Sequence, residues 1–483
     1  MKPPTESLRL LVAALSIVLV ASVDLASVDL GERDTSLEEA LQSVRSESIE
    51  ADVEFLASDA LGGRLLETPG AEHSALYIRS RLWRLGLEPG GDEGFYDRFT
   101  LELRRPDVAQ SFGRLGRGEL RRRLEPGKHY YFNWPAEIDV DAGIIWSGTG
   151  TREELAKIEV RGFWTLVKEE SIPWRFLAED AQAKGAKGIL VYSEIGSNDR
   201  HGEGPAKRAL KALDRGRLDV AVEDDQQFPT VFLSRRQARF LLGGGEHRLG
   251  ERLGDFRERR RLAPPMEVME SKNVAGFLRG SDPELRREVI VVTAHYDHLG
   301  TRAGELMPGA NDNASGTAAL MALAEALAHH GPLRRSVLLL SVSAGERGQR
   351  GALAWAKQPT LPQGHRTVCA INLDTIGGNA PDLLQVAPTA LHEAHNGLET
   401  LARKHAGSEG FGELSDGDPF WNRSDHYPFH SELQVPALFL FGGLTRDYHK
   451  ASDTPDKVDA DKVRRVTRLT LRILADLQGE QLL

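Results

Sequence analysis

The chain has 483 residues, more than the roughly 250 to 300 at which one hydrophobic core stops growing, so two structural units are expected. With 40% hydrophobic and 27% charged residues it is ordinary globular material. A formal net charge of -10 argues against general nucleic-acid binding, which needs a basic surface or face.

At the N-terminus, Lys2 and Arg9 precede the apolar run Leu10 to Ala21, long enough for a signal-peptide core and too short for a membrane span of about 20 residues. Residues 1–26 therefore read as an export signal, cleaved after Ala21 or Ala26, which implies a periplasmic or extracellular protein. Stable membrane insertion is expected only if the signal stays uncleaved. The tandem ASVDLASVDL that follows is too short for a structural repeat, and ordered sequence is expected from near Leu37.

From Ala71 the apolar positions Ala75, Ile78, Leu82 and Leu85 fall at steps of three and four and predict an amphipathic helix stopped at Gly86. The preceding FLASDALGGRLLETPG is a turn-rich lead-in. Between Arg104 and Pro126, and again from Arg257 to Pro265, the sequence turns to arginine and is read as solvated linker bounding an insert. Inside those brackets GFWTLVKEE, ILVYSE and FPTVFLS read as strands and WRFLAEDAQAKGAKG as a helix. This unit resembles the protease-associated (PA) domain, which implies a lid or substrate-recruiting role. Cys369 is the only cysteine, so no intramolecular disulfide can form, and its apolar run, Val368 to Leu373, points to core packing.

From Asn273 strands and helices alternate, which suggests a sheet with helices on both faces. Val289 to Ala294, Val337 to Val342, Val368 to Leu373 and Ala437 to Phe441 are apolar runs of strand length, as in strands buried on both faces. Polar residues gather after each: His295 after the first, Glu346 after the second, Asp374 after the third and His449 in the loop after the fourth. Open α/β sheets bind ligands outside the carboxyl ends of their strands, so these four converge on one crevice, where Asp312 can also point. Taken singly, each has a bland reading, such as a helix cap for Asp312. Five together suit zinc, and being too many for one tetrahedral ion they suit two ions that share a carboxylate. Asp297 could hold the second ring nitrogen of His295 or fix the turn.

TAHYDHLG, GANDNASG, AINLDTIGG, RSDHYPF and DYHKASDTPDK closely resemble the M28 family of zinc exopeptidases, which includes secreted bacterial aminopeptidases and shares its fold with glutaminyl cyclases. The resemblance implies a phosphorylase/hydrolase-like, three-layer α/β/α fold with a mostly parallel central sheet, plus an inserted smaller α/β unit. It divides the chain into a signal (1–26), the first part of the peptidase domain (37–125), the PA-like insert (126–265) and the metallopeptidase core (266–483). It implies two Zn(2+) per chain: His295 and Asp374 on one ion, Glu346 and His449 on the other, and Asp312 bridging them. Tyr448 resembles the family's hydroxyl donor to the developing oxyanion, Asp297 is expected to orient His295, and Ser424 and Asp425 match a motif near the substrate pocket.

The departure from the family is at Gly345. Members carry two adjacent glutamates after the second strand, the first a general base and the second a ligand. Here AGERGQRGA places Glu346 on the ligand and Gly345 on the base. The other alignment makes Glu346 the base and puts Arg347 on the ligand position; the first keeps Gly348 and Gly351 on the family's glycines. The resemblance thus implies a peptidase acting on peptide or protein N-termini and impaired by the missing carboxylate. The alternative is a metal-binding pseudoenzyme that captures N-termini, and a cyclising transferase is the weaker third reading.

Overall fold

The computed structural model describes residues 37–132, 137–169, 174–192, 217–220, 228–265 and 267–480; the export-signal reading of 1–26 lies outside them. Near the start, helices α1 (Ser46–Leu56) and α2 (Pro69–Arg84) lead into strand β1 (Tyr96–Arg104). Beyond the second sheet described below, the chain continues as β2 (Glu267–Leu278), β3 (Glu288–His295), α3 (Ser315–His330), β4 (Ser336–Val342) and α4 (Arg350–Lys357). It ends with β5 (Arg366–Asp374), β6 (Gln385–Ala387), α5 (His426–Leu433), β7 (Ala437–Phe441) and α6 (Ala460–Asp476).

These strands form one sheet in the order β6, β7, β5, β3, β4, β2, β1. Its centre, β7, β5, β3 and β4, is parallel. Antiparallel pairs flank it, β6 with β7 on one side and β2 with β4 and β1 on the other, so the sheet is mixed. On the β2 side the connection from β2 to β3 contains a single 3-10 turn and no crossover helix, so the chain reverses direction.

Alternate residues of each central strand serve opposite faces, as the period of two requires. Ile290, Val292 and Leu339 pack with α1, α2, α3 and α6, while Val291, Leu338 and Leu340 pack with Trp355 of α4 and Phe429 of α5. Helix α3 is buried almost all round, consistent with its alanine-rich and leucine-rich sequence. A Cβ at Gly316 would stand 2.2 Å from the Leu373 carbonyl oxygen, so glycine lets the start of α3 abut the end of β5. That approach brings Asp312 to the strand ends. Cys369 is fully buried within β5, and burial pushes its thiol up to about 12, the state of a packing residue.

A second sheet of eight strands draws on residues from Phe112 to Arg260. The stretches read as arginine-rich linkers are strands within it: Phe112–Arg117 pairs with both Leu120–Leu124 and Arg252–Arg260. The arginines stay accommodated because their guanidinium groups lie over rings, Arg122 over Phe240 and Arg123 over Phe112, or pair with acids, as Arg257 does with Asp139. The three strands read inside the brackets appear as Trp164–Lys168, Gly188–Tyr192 and Thr230–Leu233. Arg217–Val220 leaves this unit to pair antiparallel with β1 at the edge of the main sheet.

Candidate metal centre

Parallel register aligns the strand ends: His295 of β3 lies opposite Val342 of β4, and Asp374 of β5 opposite Phe441 of β7. His295 and Asp374 are thereby placed side by side, and the loops after β4 and β7 deliver Glu346 and His449 to the same crevice. Asp312 comes from the turn Ala310–Ala314 ahead of α3, where the Asp312–Asn313 peptide bond is cis. Asp453 holds that turn, its carboxylate accepting the backbone N–H groups of Asn311 (3.0 Å) and Asp312 (3.1 Å).

The structure brings all five expected ligand residues together. His295 Nε2 lies 3.4 Å from Asp312 Oδ1 and 3.5 Å from Asp374 Oδ1. His449 Nε2 lies 3.1 Å from Asp312 Oδ2 and 3.2 Å from Glu346 Oε2. Ligand atoms about 2.0–2.2 Å from a tetrahedral zinc stand about 3.3–3.6 Å apart, so these separations are close to the edges of two such tetrahedra. Asp312 faces one group with each oxygen. The buried atoms Asp312 Oδ2, Glu346 Oε1 and His449 Nε2 have no well-directed hydrogen bond, a costly arrangement that a cation would relieve. The residues therefore fit a pair of metal ions.

Electrostatics agree. Burial works against charge on His295, yet Asp374, Asp312 and Asp425 outweigh it and hold its pKa well above the usual value. His449 is lifted to about 9 in the same way, burial opposing and the adjacent carboxylates of Asp312 and Glu346 prevailing. Burial acts to raise Glu346, but the imidazoles of His298 and His449 close beside it hold it far below the carboxylate range. Metal-free, protons held on His295 and His449 offset part of the charge of the acidic cluster.

Supporting contacts choose between the expected roles of Asp297 and add a partner for Ser424. The Asp297 carboxylate lies 3.8 Å from His295 Nδ1, beyond hydrogen-bond reach, and the Asp297 backbone carbonyl takes that nitrogen at 3.1 Å. The carboxylate instead accepts the N–H groups of Gly345 (2.9 Å) and Glu346 (3.4 Å), fixing the turn that carries the ligand. Burial pushes its pKa up to about 6. Ser424, expected near the substrate pocket, lines the cleft and donates to Asp374 Oδ2 at 2.5 Å while accepting from Asn372 Nδ2. Thr375 donates to Asp374 Oδ1. Asp425 lines the cleft with both oxygens buried and without hydrogen bonds, and burial pushes it up to about 7.

Tyr448 stacks on His449 with ring centroids 3.8 Å apart, and both line the cleft with Phe420, Phe439, Phe441 and Leu444. Sequence reasoning passed over His298, which is fully buried with Nδ1 2.8 Å from Glu346 Oε1 and belongs to a possible ligand group with Asp312 and Glu346. Its signal was the second histidine of HYDH, three residues after His295 in the same turn. Gly345 lines the cleft as well, but not as an open place for a carboxylate: a Cβ there would lie 2.6 Å from both Cβ and Cγ of His295.

Residues 273–474 match Peptidase family M28. Aminopeptidase YwaD of Bacillus subtilis (strain 168) is 22% identical over 414 residues, spanning 84% of this chain and 80% of that protein. A probable zinc metalloprotease of Leptosphaeria maculans is 38% identical over 123 residues, 24% of this chain and 27% of that one. Among solved structures, an aminopeptidase from Aneurinibacillus sp. strain AM-1 covers 93% of this chain and 98% of its own at 19% identity with a TM-score of 0.51, a likeness of fold. The stretch that carries every candidate ligand, residues 273–474, is thus the part of the chain that is similar to Peptidase family M28.

Proposed function

We propose that this protein is a zinc-dependent exopeptidase that removes N-terminal residues from peptides, with two zinc ions held by His295, Asp312, Glu346, Asp374 and His449. The observation that carries the reading is the division of Asp312, one oxygen toward His295 and the other toward His449, at separations suited to two ions. Bound there, zinc would polarise the scissile carbonyl and acidify a water toward pKa about 7. The chain's own residues do the rest. Ser424 and Thr375 orient Asp374, Asp453 orients Asp312, Asp297 holds the Glu346 turn, and Tyr448, which lines the cleft, would supply a hydroxyl to the developing oxyanion. The aromatic wall of Phe420, Phe439 and Phe441 suits an apolar side chain.

No carboxylate stands at position 345, and a positioned general base is worth about 10² to 10⁴ in rate. Turnover is therefore slow. The crowding of Gly345 by His295 favours the second reading, a protein that captures peptide N-termini without efficient hydrolysis. Aminoacyl chromogenic substrates decide between them. The peptidase reading expects release from substrates with a free N-terminus, little from N-acetylated ones, loss on chelation and recovery with zinc. Binding of peptide N-termini by zinc-loaded protein with no turnover above buffer sinks it and leaves capture.

Supporting the same proposal, the second sheet and its helices suit an inserted PA-like unit that recruits or covers substrate, in a core of the phosphorylase/hydrolase-like kind. The charged and then apolar leader suits export, and mass analysis of secreted protein would reveal cleavage after Ala21 or Ala26.

A further inference from the structure

Arg64 lies far outside residues 273–474, in the turn-rich lead-in to α2, yet its side chain is fully buried among the turns that carry the ligands. Every hydrogen bond of its guanidinium goes to a main-chain carbonyl. Nε donates to Tyr296 (2.8 Å), Nη1 to Leu56 (2.5 Å) and Pro308 (2.8 Å), and Nη2 to Gly309 (2.8 Å). Tyr296 is the residue after His295, and Pro308 and Gly309 open the turn that ends at Asp312. The backbone joins in: the N–H of His298 donates to the Arg64 carbonyl at 3.1 Å, and that of Gly300 to Gly63 at 3.0 Å.

We propose that Arg64 is a positioning residue for the metal site, its one planar fork setting the separation between the His295 turn and the Asp312 turn. The inference rests on the two-metal reading above. Three observations carry it. A buried cation bonded only to neutral carbonyls is expensive, and the charges that favour it are the cluster itself, Asp297, Asp312, Asp453 and Glu346. Arg64 takes a positive φ of 48°, which side chains other than glycine rarely adopt, so the backbone bears strain to present the guanidinium here. The geometry also demands arginine, because a lysine ammonium has three donors on a flexible stem and cannot reproduce a planar fan of four bonds.

The electrostatic and geometric effects oppose each other, which makes the proposal testable. A cation near the metals repels them, so charge alone would weaken zinc binding, whereas the fork pre-arranges the ligands and strengthens it. Arg64→Lys keeps the charge and loses the fork; Arg64→Gln loses both. Zinc affinity is measured by competition with a chromophoric chelator, with circular dichroism to establish folding. Both variants are expected to bind zinc at least about tenfold more weakly, in line with the loss of groups that orient metal ligands. Folded variants within twofold of the wild type would overturn the proposal.

Should neither variant fold, hydrogen exchange on the wild-type protein decides. Zinc is expected to slow exchange in residues 56–66 together with 295–312, and protection confined to the latter counts against Arg64. A wild type that takes up no zinc sinks the metal reading and this inference with it. Unchanged variants beside a zinc-binding wild type sink only this inference.

Discussion

The ligand cluster and the turn Ala344 to Gln349, which supplies one of its members, Glu346, lie at the same end of the sheet and differ in how their parts are supported. Each carboxylate of the cluster has dedicated help: Ser424 and Thr375 on Asp374, Asp453 on the Asp312 turn, and His298 beside Glu346. The turn has positive φ at Ala344, Gly348 and Gln349, and at Gly345 it has neither a carboxylate nor room for a Cβ beside His295. Metal holding and proton handling are therefore separable here. On the proposed two-metal reading, the first is densely supported by hydrogen bonds, and the second has no carboxylate at position 345.

The sharpest way to break this comparison is Asp312→Asn, which removes the shared ligand. Zinc uptake, measured by elemental analysis after dialysis, is expected to fall by more than the about 10- to 100-fold that losing a supporting contact costs. Retention of two ions would mean that Asp312 bridges nothing.

A smaller effect is expected from Gly345→Ala and Gly345→Glu. Because His295 occupies the space, both should destabilise the metal-free protein by about 1–3 kcal/mol, the usual cost of overpacking, as read by urea unfolding. Neither should restore rate. A gain of about 10² or more in kcat for Gly345→Glu at unchanged zinc content would show instead that the turn accepts a base and that glycine alone limits turnover.

The mildest expectation concerns pH. His449 is raised to about 9 in the folded metal-free protein, above its unfolded value of about 6.5. Its contribution to stability is then complete below pH about 6.5 and is lost as pH rises through about 9. Zinc needs the neutral imidazole, so its binding should tighten across the same window. Unfolding of metal-free protein and zinc titrations at three pH values would sharpen the comparison, and a zinc affinity that does not change with pH would remove His449 from the ligand set.

Much of the cluster was legible because strand ends are legible. Four apolar runs of strand length, each followed by a histidine or acid, already implied a common crevice, and the register of β3, β4, β5 and β7 now shows why. The arginine-rich segments around residues 112–124 and 252–260 misled because composition masked alternation, their charge being absorbed by rings and acids on neighbouring strands. Ser424 and Asp297 were placed in the right neighbourhood but their partners were left open, since a hydroxyl or carboxylate chooses its partner over a few ångströms of three-dimensional space.

What the sequence by itself determined was the set of ligand types and their order along strands, because hydrophobic periodicity and strand-end position are local properties of the chain. Only the tertiary structure decided which oxygen of Asp312 faces which histidine, that His298 stands behind Glu346, and that Arg64 reaches across from α2's lead-in to main-chain carbonyls. Those contacts join residues distant in sequence, several of them through backbone atoms that every residue type possesses, so no pattern of side chains could have announced them.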